Sequence, residues 1–324
     1  MTHALITGGA GFVGSHLAEK LIAAGQTVTV IDDLSTGRMS NLANLVKHPR
    51  FRFAIEDIRN VVVLDRLVSE CDIIYHLAAA VGVQKIVSQP IETIEINIGG
   101  SEVVFKTAAR YRKKVMLAST SEVYGKGVKF PFEEDDDSLL GPTTRSRWSY
   151  AASKAIDEFL GLAYHKEVGL PVTVFRLFNT VGPRQSGQYG MVVPRFVRWA
   201  LNHQPIQVYG DGQQQRCFGN VFDVVDAIAK LAEVEDAEGQ VFNIGSDEEI
   251  SIVGLAERVR ERSDSASEIS LIPYDQAYEP GFEDFRRRVP SLDKIKRVIG
   301  WRPTTALDTT IDQIISYIRE NPNG

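Results

Sequence analysis

Thr7-Gly8-Gly9-Ala10-Gly11-Phe12-Val13-Gly14 follows the apolar run His3 to Thr7 and opens the amphipathic stretch Phe12 to Ala24. A glycine-rich turn set between a strand and a helix is the phosphate-binding element of a doubly wound α/β fold. Gly8 permits the tight turn, Gly11 lets the backbone come close to a pyrophosphate, and Gly14 lets helix and strand pack closely. The helix starts at Phe12 and Val13, so its first amides and the positive end of its dipole face the anion.

Outward from this turn, strand-like and helix-like stretches alternate. Thr27 to Ile31, Phe51 to Ile55, Asp72 to His76 and Lys113 to Ser119 read as further buried strands, and Gly25 closes the first helix in a left-handed position. The pattern predicts a Rossmann-type doubly wound parallel sheet over residues 1–170, with later strands near 172–177 and 241–244 returning to it. A smaller lobe, mainly residues 178–324, follows where prolines punctuate shorter elements.

Asp32 ends the second strand, placed to accept hydrogen bonds from the ribose hydroxyls of an adenine dinucleotide. A carboxylate there repels a 2′-phosphate, which predicts NAD over NADP, with Arg38 nearby as the feature on the other side. Asp57-Ile58, after the third strand, is placed to meet the adenine edge. Leu77-Ala78-Ala79-Ala80, after the fourth, offers small side chains where backbone must pass close to the cofactor.

The chain has 324 residues, 44% hydrophobic and 24% charged, which fits a folded protein of two lobes. A net charge of -6 gives no basic field for nucleic acid or an anionic membrane. Cys71 and Cys217 stand far apart, so neither a disulfide framework nor a metal site is expected, and the acidic run Glu133 to Asp137 reads as a solvated loop. No long uncharged apolar stretch is present, so cytoplasmic residence is the expectation.

Tyr150-Ala151-Ala152-Ser153-Lys154 puts a phenol and an ammonium four residues apart, on one face of a helix. An ammonium beside a phenol favours the phenolate, which could take a hydroxyl proton as hydride leaves the same carbon. Ser119-Thr120-Ser121-Glu122 follows the fifth strand at the carboxyl edge of the sheet, where doubly wound folds bind ligands. Thr120 can bridge a substrate hydroxyl and Tyr150.

With these segments in order, the chain resembles the extended short-chain dehydrogenase/reductase family, the nucleotide-sugar epimerases and dehydratases. The resemblance spans nearly the whole chain and rests on TGGAGFVGSHL, IDDLSTG, HLAAAVGV, Asn97, STSEVYG, YAASK, FNTVGPR and VYGDGQQQRCF. It implies catalysis by Thr120, Tyr150 and Lys154, oxidation of a sugar at C4, and an NAD recycled in place, with Asn97 in the cofactor site. It also implies that Asn179, Val193 and Arg216 hold a nucleoside diphosphate, most simply UDP. Arg287 in Phe285-Arg286-Arg287-Arg288 would add a second clamp.

The family's reactions diverge after the 4-keto sugar. A 4,6-dehydratase carries Asp-Glu where this chain has Ser121-Glu122, which disfavours dehydration. UDP-glucuronate decarboxylases carry Ser-Glu there and are also similar around Arg147 to Tyr150 and Arg216 to Phe218. Epimerisation at C4 of a UDP-hexose or UDP-hexuronate needs no further acid or base and is ranked first, decarboxylation second. Arg184 or Arg195 could pair with a substrate carboxylate. A non-catalytic NAD sensor would have no need of Tyr150, Lys154 or Thr120, and an ordinary alcohol dehydrogenase no need of Arg216. Ile156, Phe159, Leu160, Leu162 and Ala163 spread apolar surface around the helix from Tyr150, which predicts a partner helix and a homodimer.

Overall fold

Valine, isoleucine and leucine at most positions of short runs suit parallel strands covered by helices on both faces, because neither face meets water. The computed structural model shows this arrangement and describes residues 1–82, 89–187, 190–277 and 286–322. Val83 and Phe285, quoted above, lie outside the described residues.

Strands β1 (His3–Thr7), β2 (Thr27–Asp32), β3 (Phe51–Ile55), β4 (Ile73–His76), β5 (Lys114–Thr120) and β6 (Val172–Leu177) join Gln240–Ile244 in one sheet. The order is Gln240–Ile244, β6, β5, β4, β1, β2, β3, with every neighbouring pair parallel. From β1 the chain builds outward first through β2 and β3, then on the other side through β4, β5 and β6. The crevice between the ends of β1 and β4 is therefore the switch point at which such sheets bind ligands. The Rossmann-type expectation holds, and the strands stand within a residue of their predicted limits.

One face of the sheet packs on the helices Phe12–Ala23 and Val221–Ala232 through Leu17, Leu21, Val224 and Ile228. The other packs on Val61–Glu70 and Gly100–Tyr111 through Leu64, Val68, Val104 and Phe105. A separate core gathers Val193, Phe196, Leu255, Val259, Ile311 and Ile314 from the helices Val192–Leu201, Ile252–Arg262 and Leu307–Glu320. Beside it, Gln215–Cys217 lies between the short strands Glu249–Ser251 and Arg287–Arg288.

Glu134 corrects the reading of the acidic run as wholly solvated. It is buried, with Oε1 accepting from Asn243 N at 2.8 Å, while Glu133 and Asp136 pair with Lys129 outside. Among the described residues no helix is long and apolar enough to cross a membrane, and no group of three His, Cys, Asp or Glu could hold a metal.

Candidate functional site

The glycine turn is compressed against its surroundings. Gly8 has φ +71°, and a Cβ there would stand 2.8 Å from the backbone of Ala78; one on Gly14 would stand 2.4 Å from the Gly8 carbonyl oxygen. Ala78 N donates to Thr7 Oγ1 at 3.1 Å, which ties the Leu77–Ala80 segment to the end of β1. Gly11, the residue capping the helix Phe12–Ala23, offers no side-chain acceptor to its first amides.

These elements wall a cavity of about 300 Å³. Gly8, Gly11, Phe12, Val13 and Gly14 line one side, and Leu77, Ala78 and Ala79 line it from β4. Asp57 and Ile58 line it after β3, Asp57 held well below the usual carboxylate range by the Arg59 guanidinium at 2.6 Å. Asp32 accepts from Ala10 N at 2.9 Å and Leu34 N at 2.8 Å, and burial raises its pKa. Arg38 lines the same cavity. The residues fit a dinucleotide: uncapped helix amides and the bare turn suit a pyrophosphate, and Asp32 suits ribose hydroxyls.

Two expectations shift here. Asn97 lies behind the wall: its Oδ1 accepts from Ala80 N at 2.8 Å and its Nδ2 donates to Ser153 Oγ at 3.1 Å, so it shapes the cavity without lining it. Arg184 faces the dinucleotide cavity rather than a sugar carboxylate, its Nη2 on Glu19 Oε1 at 2.7 Å. Its backbone has φ +70°, and its guanidinium reaches Glu19 of the first helix.

Tyr150 and Lys154 lie in the helix Arg147–Val168 and line the cavity together with Thr120, the last residue of β5. Thr120 faces the Tyr150 phenol across this wall. Burial raises the phenol's pKa, Glu122 and Asp157 add to that, and Thr120 and Arg288 work against it. Lys154 Nζ donates to Asp157 Oδ2 at 2.7 Å inside the fold, so its charge is offset there. His76 at the end of β4 bonds Thr7 Oγ1 and Ser101 Oγ, and burial, then Lys154, lowers it to about 3.

Past Thr120 a second cavity of about 320 Å³ opens, sharing Tyr150, Leu177, Gln185 and Met191 with the first. Its wall carries Glu122 between two arginines. Glu122 Oε1 accepts from Arg288 Nη1 at 2.9 Å and Oε2 lies 3.4 Å from Arg147 Nη2, with all three side chains between 9% and 16% exposed. Ser121 Oγ accepts from Arg288 Nη1 at 3.4 Å. A third cavity of about 140 Å³ continues outward past Asn179, Arg195, Tyr209 and Arg216. Asn179 lines both outer cavities and donates to the Cys217 carbonyl at 3.1 Å, and Val193 is buried on the wall of the second.

Arg287 is not in this group. It pairs with Glu249 at 2.6 Å on the outside, while Arg288 enters the site, because adjacent strand residues point to opposite faces. Arg288 and Arg147 are what the sequence reading missed. Arg147 stands three residues before Tyr150, a spacing that shares a helix face.

The model of the family described as GDP-mannose 4,6 dehydratase matches residues 5–314. A UDP-N-acetyl-alpha-D-glucosaminuronate decarboxylase of Bacillus cytotoxicus is 41% identical over 98% of this chain and 98% of its own. The UDP-glucuronic acid decarboxylase 1 of Arabidopsis thaliana is 36% identical over 97% of this chain and 69% of its own. The solved structure of the UDP-glucose 4-epimerase of Thermus thermophilus, in complex with NAD, is 29% identical with a TM-score of 0.86, covering 98% of this chain and 99% of that one.

Proposed function

Since the chain belongs to the family described as GDP-mannose 4,6 dehydratase, we propose that it is a UDP-hexuronate decarboxylase working through a 4-keto sugar. It is an enzyme of nucleotide-sugar chemistry that uses NAD. The ranking of epimerase ahead of decarboxylase is reversed, since relatives over nearly the whole chain are decarboxylases.

The observation that carries this reading is Glu122 between Arg147 and Arg288, two residues past Thr120 on the wall of the sugar-sized cavity. Guanidinium forks suit a carboxylate, which a uronate brings to this wall and a hexose does not. NAD, held by the glycine turn and Asp32 in the first cavity, would supply the acceptor for the C4 hydride and its return to that carbon. Tyr150 takes the C4 hydroxyl proton beside Thr120, while Lys154 would hold the cofactor from the cavity wall and support the phenolate. Oxidation leaves a ketone β to the C6 carboxylate. The C5–C6 bond then breaks, carbon dioxide departs, and the electron pair moves into the C4–C5 bond and onto the C4 oxygen. Arg147 and Arg288 orient the carboxylate, and C5 takes up one proton from solvent at the wall that Glu122 lines. Tyr150 returns its proton to the C4 oxygen as the ketone is reduced.

Asn179, Val193 and Arg216 would hold the UDP diphosphate in the outer cavities. Ile156 and Phe159 are 45% and 75% exposed on a helix that packs on the helix Pro90–Ile94, while Leu160 and Leu162 pack inward on their own core. That patch supports a homodimer; a monomeric mass by light scattering would count against it. The second reading, C4 epimerisation, is supported by the fold match to an NAD-bound epimerase. UDP-hexuronate labelled at C6 tests the choice: label released as carbon dioxide supports decarboxylation, and label retained in a C4 epimer overturns it.

A further inference from the structure

The helix Arg147–Val168 carries a third charged group on the face that holds Tyr150 and Lys154. Asp157 stands seven residues after Tyr150 and three after Lys154, so the three side chains follow one another along one stripe. Its carboxylate accepts from Lys154 Nζ at 2.7 Å, with the Asp157 side chain 0% and the Lys154 side chain 3% exposed. A carboxylate shut away from water is costly unless paired, and this one is paired with the lysine of the site.

Lys154 lines the dinucleotide cavity, and Asp157 lines none of the three cavities. An ammonium has three donors; one is committed to Asp157 and two remain for the cavity side. We infer that Asp157 is a positioning residue, fixing the Lys154 ammonium at the cavity wall and, by offsetting its charge, setting how readily Tyr150 gives up its proton. The inference rests on the reading of Tyr150 as the base.

The surroundings isolate this effect. Tyr150 is faced by Glu122 and Thr120 from the end of β5 and the turn after it, by Arg288 from the strand Arg287–Arg288, and by Asp157 from its own helix. Asp157 is faced by Lys154 and Glu158 of the same helix and by Ser101 of the helix Gly100–Tyr111. Glu158 is committed to Arg176 at 2.7 Å, and His76 beside Lys154 is held neutral. Glu122 and Arg288 line the cavity that takes the sugar, so changing them alters substrate contacts as well. Asp157 lines none of these cavities, so changing it alters the charge beside Lys154 and Tyr150 without removing a substrate contact.

Asp157→Asn keeps the shape and an acceptor for Lys154 while removing the charge. With less negative charge nearby the phenolate is favoured, so Tyr150 should ionise at lower pH, by about one pH unit. The readout is ultraviolet titration of tyrosinate in the NAD-loaded protein, taken as the difference from Tyr150→Phe to remove the other tyrosines. Asp157→Glu, which keeps the charge, should ionise close to wild type. The ascending limb of kcat/KM with a UDP-hexuronate should move down in pH with the titration. An unchanged midpoint in Asp157→Asn overturns the inference, and Asp157→Ser gives the same comparison should the amide fail to fold. The titration needs no substrate: a shifted midpoint without carbon dioxide release sinks the decarboxylase reading and leaves Asp157's role standing.

Discussion

Replacing Arg288 by methionine, beside the same change at Arg287, separates the inward residue of a two-residue strand from the outward one. The Arg288 side chain is 10% exposed, its Nη1 2.9 Å from Glu122 Oε1, whereas Arg287 is 42% exposed on Glu249. Truncating one member of a buried, hydrogen-bonded charge pair costs about 2–5 kcal/mol. At about 1.4 kcal/mol per factor of ten, and felt in the transition state, that is roughly a 30- to several-thousand-fold loss of kcat/KM. The exposed pair is worth no more than about 1 kcal/mol, all of it stability, so Arg287→Met should keep turnover within about threefold. Initial rates of UDP-pentose formation measure both, with retained NAD and melting temperature as controls for folding. An Arg288→Met enzyme within threefold of wild type, or an Arg287→Met enzyme as damaged as its neighbour, would refute the reasoning.

Gly14→Ala drives a Cβ to 2.4 Å from the Gly8 carbonyl, so the turn must move; overpacking of about 1–3 kcal/mol should weaken NAD binding by roughly 5- to 150-fold in calorimetry. Unaltered affinity would mean that the turn does not carry the pyrophosphate. Tyr150→Phe should abolish turnover while the purified protein retains NAD, because only the proton acceptor is lost; activity near wild type would remove the phenol from its role. Burial lowers His16 to about 4 and His76 to about 3. The unfolded histidines titrate near ~6.5, so the unfolded chain binds the extra protons and stability falls as pH drops from ~6.5 toward these values. Urea midpoints that hold level from pH 7 to 5 would contradict that.

Much of the fold was legible because its signals are local. The turn from Thr7 to Gly14 and the acidic end of the second strand are read from adjacent residues, and the parallel strands from apolar runs too short for helices. At the site, the four-residue spacing of Tyr150 and Lys154 gave a shared helix face, and Thr120 a sheet edge. What escaped was set by tertiary phase. Arg287 and Arg288 differ only in which side of Gln215–Cys217's neighbouring strand each occupies, and a one-residue slip exchanges them. Asn97 sits behind the cavity wall because its amide is spent on Ala80 and Ser153, which no spacing reveals. The contact of Lys154 with Asp157 depends on how deeply that helix face is buried. Glu134 looked solvated within an acidic run and is instead held by Asn243, more than a hundred residues away in sequence.

The most direct test of the central claim is an NMR time course of the NAD-loaded protein with UDP-glucuronate, its 2-N-acetyl counterpart and UDP-glucose in parallel. The account predicts a UDP-pentose and carbon dioxide from at least one of the two uronates and no decarboxylated product from UDP-glucose. A C4 epimer that keeps all its carbons, from any of the three and with no pentose formed, would contradict it.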